Sequence, residues 1–398
     1  MINSLQKEPS LHQVTNKRPR LDYLDGFRGL SAVIIATYHA QLFTGYGIST
    51  SSLPPYLRFL STLISYGHLA VPVFIVISGY SLTIPVALNP DKKIKGGFGA
   101  YIKRRAKRIL PPYYFALALF IILIYAVPIL NTKQNTAWDT KIPLDLPSII
   151  SHILLIHNLN TDWISKIDGP LWSVATEWQI YFILPVLILL WKKINLLTTV
   201  SITVLIGIAV STVFMPARTM NFWFVGLFAL GMLGAVINFS KEQVWIKISK
   251  IVPWKLVIYA GTFLLIILLV ISKFKNISPL IFDTLVGFYV AALLTGFTFI
   301  EMNELKRPWF LNMLNSRVCM NLGLFSYSIY LIHSPFLALI NLLTLHVPFS
   351  NASRLIFMEI VAVPIAIFIS YIFYILVEKR FQTTISKKTV GQVVEEIK

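Results

Sequence analysis

Cysteine occurs once in the 398 residues, at Cys319, and acidic residues number 17 against 35 Lys and Arg. A single thiol excludes an internal disulfide framework and a cysteine-rich zinc cluster, and no metal site is expected. Charged residues make up only 13% of the chain, whereas an ordinary soluble domain carries about 25%. That charge does not spread along amphipathic stripes; it falls between long apolar runs, and hydrophobic residues reach 56%. Helices apolar on every side need a bilayer or a very large core, and one chain of this length cannot build such a core. The N-terminal segment is polar and basic, without the short apolar region of a signal peptide.

The net charge of +18 raises nucleic acid as a partner. A soluble basic binder needs a solvated surface with interleaved charges, and little such surface exists here, so no nucleic-acid partner is expected. The cations instead flank apolar spans, the pattern of the positive-inside rule. About 20 apolar residues cross a hydrocarbon core of about 30 Å, and candidate spans lie near 28–46, 63–86, 111–130, 170–191, 197–214, 219–238, 253–272, 278–300, 319–344 and 354–377. Pro111-Pro112, Pro170, Pro253 and Pro279 stand near the starts of four of them, where the missing N–H is tolerated.

An inward N-terminus puts roughly 26 Lys and Arg on cytoplasmic segments and about 8 outside. The largest cluster, Lys92 to Arg108, lies between spans two and three. The expected fold is therefore an all-α polytopic membrane protein of about ten transmembrane helices, with N-terminus and C-terminus both cytoplasmic. It divides into a cytoplasmic tail at 1–24, a transmembrane domain at 25–377 and a second cytoplasmic tail at 378–398. Residues 97–109 mix aromatic, aliphatic and basic residues as an interfacial helix does. Residues 146–160 are apolar but short, and are expected to lie on the external face or dip in without crossing. There is no internal repeat and no second, soluble domain.

Ionisable groups within spans are costly, about 2.5–3.5 kcal/mol at the bilayer centre on insertion scales, and so mark function. Arg28 and His39 lie on nearly the same face of span one, roughly 16 Å apart in depth at 1.5 Å per residue. Ser173 and Glu177, four apart in span four, share a face, and Glu177 falls near the depth of His39. Ser326, Tyr330 and His333 form a stripe on span nine, reaching the same layer. At the cytoplasmic end, Arg104 and Arg105 lie next in order to Ser78, Gly79 and Tyr80; forked arginine donors suit phosphates. Topology anchoring at lipid head groups explains the arginines equally well from charge alone.

Together these residues resemble the acyltransferase-3 family of membrane acyltransferases, which includes bacterial O-acetyltransferases of surface polysaccharides. The family's Arg, ten residues, His pattern matches Arg28 and His39, preceded by Asp25-Gly26. FIVISGY (Phe74–Tyr80), Arg104-Arg105 with Ile109-Leu110-Pro111, Gly169 through Glu177, and Tyr327 to Pro335 match its other motifs in order. One departure is Glu378-Lys379-Arg380-Phe381, where the family has proline in place of Arg380. Some relatives carry a further extracytoplasmic hydrolase-like domain; this chain ends about twenty residues after its last span and is expected to act without one or with a partner.

The resemblance implies a multi-pass protein of a bacterial inner or plasma membrane, with no tightly bound cofactor. The donor is an acyl-CoA, usually acetyl-CoA, presented from the cytoplasm. Arg104 and Arg105, with Ser78, Gly79 and Tyr80, would hold it, and Arg28 would help. His39 would act as general base on an acceptor hydroxyl, oriented by Glu177, with Trp172, Ser173, Tyr330 or His333 at the acceptor or the oxyanion. A covalent acyl-histidine is the rival mechanism. The acceptor implied is a carbohydrate or glycolipid hydroxyl; its identity, the acyl length and the oligomeric state are not encoded legibly. A proton-coupled transporter using the same buried groups is the alternative class. Retention of normal acyl transfer in His39→Ala would remove His39 from the chemistry.

Overall fold

Charged side chains punctuate the apolar runs, and the helices form between them. The computed structural model describes residues 21–44 and 53–382; most of both tails expected at 1–24 and 378–398 lies outside this range. Among the described residues every regular element is a helix. α1 (Asp22–Thr44) opens with Asp22 and Asp25 in its first turn, where the helix dipole favours carboxylates. α2 (Pro55–Ser65) and α3 (Ala70–Ala87) follow, joined by a 3-10 turn at Tyr66–Leu69 into one apolar stretch of 33 residues.

α4 (Gly97–Ala126) is a single helix of 30 residues. This corrects the expectation of a separate interfacial helix at 97–109, because Pro111 and Pro112 do not end it. Each proline forfeits a bond to the carbonyl four residues back. Those carbonyls belong to Lys107 and Arg108, both exposed at the polar end, where water takes over the lost partner. The connection after α4 holds α5 (Leu146–Ile153), capped by the Asp145 side chain, which accepts from Ser148 N at 2.7 Å. This segment dips into the protein: His152, His157 and Asn158 are wholly buried.

α6 (Leu171–Lys193) starts directly after Pro170. α7 (Leu196–Val213), the short α8 (Met215–Thr219) and α9 (Phe224–Phe239) come next. α10 (Gln243–Ile251) is bent 93° from α9, and α11 (Trp254–Phe274) and α12 (Pro279–Met302) follow it. The ninth span, expected unbroken over 319–344, is interrupted. α13 (Trp309–Leu314) and α14 (Arg317–Leu324) precede Phe325, which leaves the helical region at φ −121°, ψ 22°, and α15 (Ser326–Leu343) then begins afresh. The interruption lies where α14 meets α1 backbone to backbone: a Cβ on Gly323 would sit 2.1 Å from the carbonyl oxygen of Asp25. Last come α16 (Asn351–Phe357), α17 (Val363–Phe373) and the turn α18 (Lys379–Phe381), linked by π-helical turns at Met358–Ala362 and Tyr374–Glu378.

Eight of these stretches are long and apolar enough to cross a membrane, or nine if α9 and α10 count as one broken span. α1 has the length, but Arg28, His39 and Gln41 lower its apolarity. The eight, with α1 and α9, correspond to the ten spans read from the sequence. In their apolar windows, 72% of the residues of α12 and of α15 are buried inside the protein, against 6% for α11. α12 and α15 therefore belong to the middle of the bundle and α11 to its lipid-facing rim. Small residues let helices approach in a bilayer, and α3 and α9 use them: a Cβ on Gly79 would lie 2.1 Å from Phe228 O, and one on Gly231 2.2 Å from Val76 O.

Two predictions follow from this packing. Gly231→Val should destabilise the protein by on the order of 3 kcal/mol or abolish folding. Gly99→Ala, where nothing lies within 4 Å, should be neutral or stabilise by up to about 1 kcal/mol. Thermal unfolding in detergent reads both. In the dipping segment, the rings of His152 and His157 stack with centroids 3.8 Å apart. Burial pushes His152 down to about 4 and His157 lower still. The unfolded chain takes up these protons near pH 6.5, so stability should fall as pH drops from about 6.5 toward about 4. Replacing both with Phe should shallow that slope; an unchanged slope would assign the effect to other groups.

Candidate functional site

One end of the bundle carries the basic cluster, and a cavity of about 450 Å³ opens there. α1 contributes Arg28, α3 Ser78 and Ser81, α4 Arg104, Arg105 and Arg108, α6 Ser173, Glu177 and Tyr181, and α15 Tyr327 and Tyr330. Arg28 is held in place, donating to Asp25 Oδ1 at 2.8 Å and to Ser81 Oγ at 2.7 Å. Arg104 donates to the carbonyl of Lys95 at 2.8 Å. Tyr181 OH donates to Glu177 Oε1 at 2.5 Å and lies 3.4 Å from Ser78 Oγ.

Four arginines around one half-enclosed space make an anion site. Arg108 was missed in the sequence. Its signal is its position one helical turn beyond Arg104, which becomes readable only once residues 97–126 are known to form one helix.

Gly79 and Tyr80, expected beside Ser78 at the donor, do not line this cavity. Gly79 is pressed against α9. Tyr80 points the other way and is fully buried; its hydroxyl lies 2.6 Å from Thr298 Oγ1 and accepts from Asn238 Nδ2 at 2.9 Å. Successive residues of a helix point about 100° apart, so only Ser78 of this trio faces the space.

A second cavity, about 310 Å³, opens at the opposite end. His39, Lys141, Gly169, Pro170, Trp172 and Ser334 line it. Asp168 lies wholly buried beside it, its two carboxylate oxygens without a hydrogen-bond partner among the described residues. Burial pushes the Asp168 carboxyl up and the Lys141 ammonium down, while the attraction between the two groups opposes both shifts.

Between the two cavities, α1 and α15 meet through their histidines. His333 Nε2 lies 2.9 Å from His39 Nδ1. His39 Nδ1 is also 3.0 Å from Ile35 O, and His333 Nδ1 is 2.8 Å from Ile329 O. A carbonyl oxygen only accepts, so each Nδ1 carries a proton. In the neutral pair His333 Nε2 is then the acceptor from His39, and the lone pair of His39 is left on Nε2. Close by, Ser173 Oγ and Tyr330 OH share a hydrogen bond of 2.5 Å, and each oxygen lies 3.2 Å from Pro170 O, so one hydroxyl donates to the other while that second one donates to the carbonyl. Ser173 and Tyr330 line the first cavity and Pro170 the second.

The structure thus brings His39, His333, Tyr330 and Ser173 to one junction. Glu177 is not bonded to His39: its carboxylate takes the Tyr181 hydroxyl and faces the basic-end cavity. Depth was legible from residue number, but the direction of the side chain around the helix was not. Trp172 stands on the opposite side, lining the His39 cavity. At the foot of α15, Glu378 Oε2 accepts from Ser328 N at 3.0 Å and from Ser328 Oγ at 2.5 Å, and Gln382 Nε2 donates to its other oxygen at 2.9 Å.

Residues 21–378 match a family model described as an acyltransferase domain. The chain is similar to O-acetyltransferase OatA of Staphylococcus aureus, for example in strains NCTC 8325, COL and MRSA252, at 24% identity over 349 residues. That alignment covers 80% of this chain and 51% of the relative, so the chain spans about half the length of the curated relatives it matches. No solved structure matches.

Proposed function

The chain belongs to the acyltransferase-3 family, and from that premise we propose that it moves an acyl group, most simply acetyl, from acyl-CoA to a hydroxyl of a carbohydrate or glycolipid. The observation that carries this reading is the His39 imidazole, which lines one cavity and bonds His333 beside Tyr330 of the other, the two cavities opening at opposite ends of the bundle. The basic end is the cytoplasmic one under the positive-inside rule, and with it both chain termini. There Arg28, Arg104, Arg105 and Arg108 meet the donor's phosphates, and its thioester arm extends up the cavity toward Ser173 and Tyr330. The acceptor enters from the other side, past Lys141 and Trp172.

His39 Nε2 takes the proton of the acceptor hydroxyl as that oxygen attacks the thioester carbonyl. The new C–O bond forms and the carbonyl becomes an oxyanion, which the Ser173 and Tyr330 hydroxyls stabilise by donating to it. Collapse of the intermediate breaks the C–S bond, and the departing thiolate takes the proton from His39. His333 has the part that a carboxylate plays in a catalytic triad. It accepts from Nδ1 throughout, holding the ring's tautomer, and stabilises the imidazolium while it lasts.

Purified protein with labelled acetyl-CoA and a membrane glycan fraction tests this. His39→Ala should lower acyl transfer by about 10²–10⁴-fold while the protein still inserts and folds; normal transfer would end the assignment. His333→Gln should lower kcat and shift its pH profile, because the partner that stabilises the imidazolium is gone. Converting Arg104 and Arg105 to Gln should raise KM for acetyl-CoA, with kcat changed far less. An unaltered donor KM would return those arginines to anchoring the helix at lipid head groups. A ping-pong pattern with isolable acyl-protein would favour a covalent acyl-histidine over the direct transfer described.

A further inference from the structure

A third cavity, about 340 Å³, opens at the same end as the His39 cavity and shares a wall with it. The wall is Trp172, which lines both. Tyr38 makes a second link, its ring 5.2 Å from that of His39 and 5.8 Å from that of His68. The aromatic side chains of Trp172, Trp223 and Phe282 line this cavity together with the polar groups of His68, Asn276 and Asp283.

The polar groups are aimed rather than spent on one another. Trp223 Nε1 donates to Asp283 Oδ2 at 3.1 Å, which orients the indole, and the other carboxylate oxygen has no hydrogen-bond partner among the described residues. Nδ1 of His68 donates to Ser65 O at 2.9 Å, leaving Nε2 to accept.

The chemistry of the lining selects among ligands. A lipid tail would leave the second oxygen of Asp283 unpaired against hydrocarbon, at a cost. A phosphate would meet a carboxylate and no lysine or arginine, since none lines the cavity. A pyranose ring fits both halves of the lining: its C–H face lies on an indole, and its rim of hydroxyls donates to the carboxylate and the imidazole.

We propose that this cavity binds a neighbouring sugar ring of an oligosaccharide acceptor, next to the ring whose hydroxyl reaches His39. The two rings straddle Trp172. This rests on the acyl-transfer reading above and narrows its acceptor from any hydroxyl to a chain of at least two sugars. Single sugars and lipid alcohols fill one cavity only and are poor acceptors.

The test is a titration of detergent-purified protein with β-1,4-linked oligomers of glucose and of N-acetylglucosamine, one to four rings long, read by tryptophan fluorescence and calorimetry. In at least one series two rings should bind about tenfold or more tighter than one. Asp283→Asn, which keeps an acceptor oxygen for Trp223, and Asn276→Ala should bring that ratio close to one. Equal affinity for one and two rings, absence of binding, or survival of the gain in both variants would overturn the proposal. His39→Ala serves as the separate control: it should transfer no label, while the preference for two rings over one, which belongs to the third cavity, persists even where its affinity for both is lowered. Transfer by that variant would sink the role of His39 while leaving length-dependent binding to be judged by itself.

Discussion

Inside an apolar bundle a polar side chain must find its partner within the protein, because no water competes for it. α1 and α15 meet this constraint by bonding imidazole to imidazole, with each ring also tied to the carbonyl one turn back on its own helix. Three bonds of this kind determine which nitrogens carry protons, and they leave a single basic atom pointing into open space. The arrangement tolerates little slack, and the backbone around it is correspondingly tight. A Cβ on Gly29 would fall 2.5 Å from Gly323 N, so α1 and α14 touch without side chains between them. The close contact fixes α1, and α1 carries His39.

The same economy explains why Arg28 and His39 stand eleven positions apart. Arg28 belongs to the space with the other cations and His39 to the space at the far end, so one helix serves both reactants of the proposed transfer. Neither reactant has to cross the bilayer. On the proposed route the donor's charge stays among arginines, and the acceptor meets a cavity with one ammonium and, beside it, one buried carboxyl. Ser173 and Tyr330 stand where the two spaces approach, bonding each other and the carbonyl of Pro170.

Much of this was legible in the sequence because membrane helices are written in long apolar runs, and because buried ionisable groups are rare enough to stand out. The spans, the motifs carrying Arg28, His39, Ser173, Tyr330 and His333, and the common depth of His39 and His333 all follow from residue type and spacing. What was not legible depends on rotation about helix axes. Glu177 lies at the right depth but turns toward Tyr181, and Tyr80 sits two residues past the cavity-lining Ser78 yet faces Thr298. Arg108 was hidden by the two prolines after it, which read as a helix start rather than a helix interior. The break at Phe325 and the two π-helical turns have no marker in single-residue propensity, since tertiary contact decides them. Asp168 and Lys141 lie in a connection, where periodicity carries no information.

The contact between Glu378 and the first turn of α15 joins the π-helical turn after α17 to the helix that carries His333. Synthesis therefore delivers this fastener after the helix it fastens. Until residue 378 is in place, Ser328 has no carboxylate to hold its amide and hydroxyl, and the two imidazoles sit in an unbraced frame. Bracing of the imidazole pair is thus a late event in the assembly of the bundle.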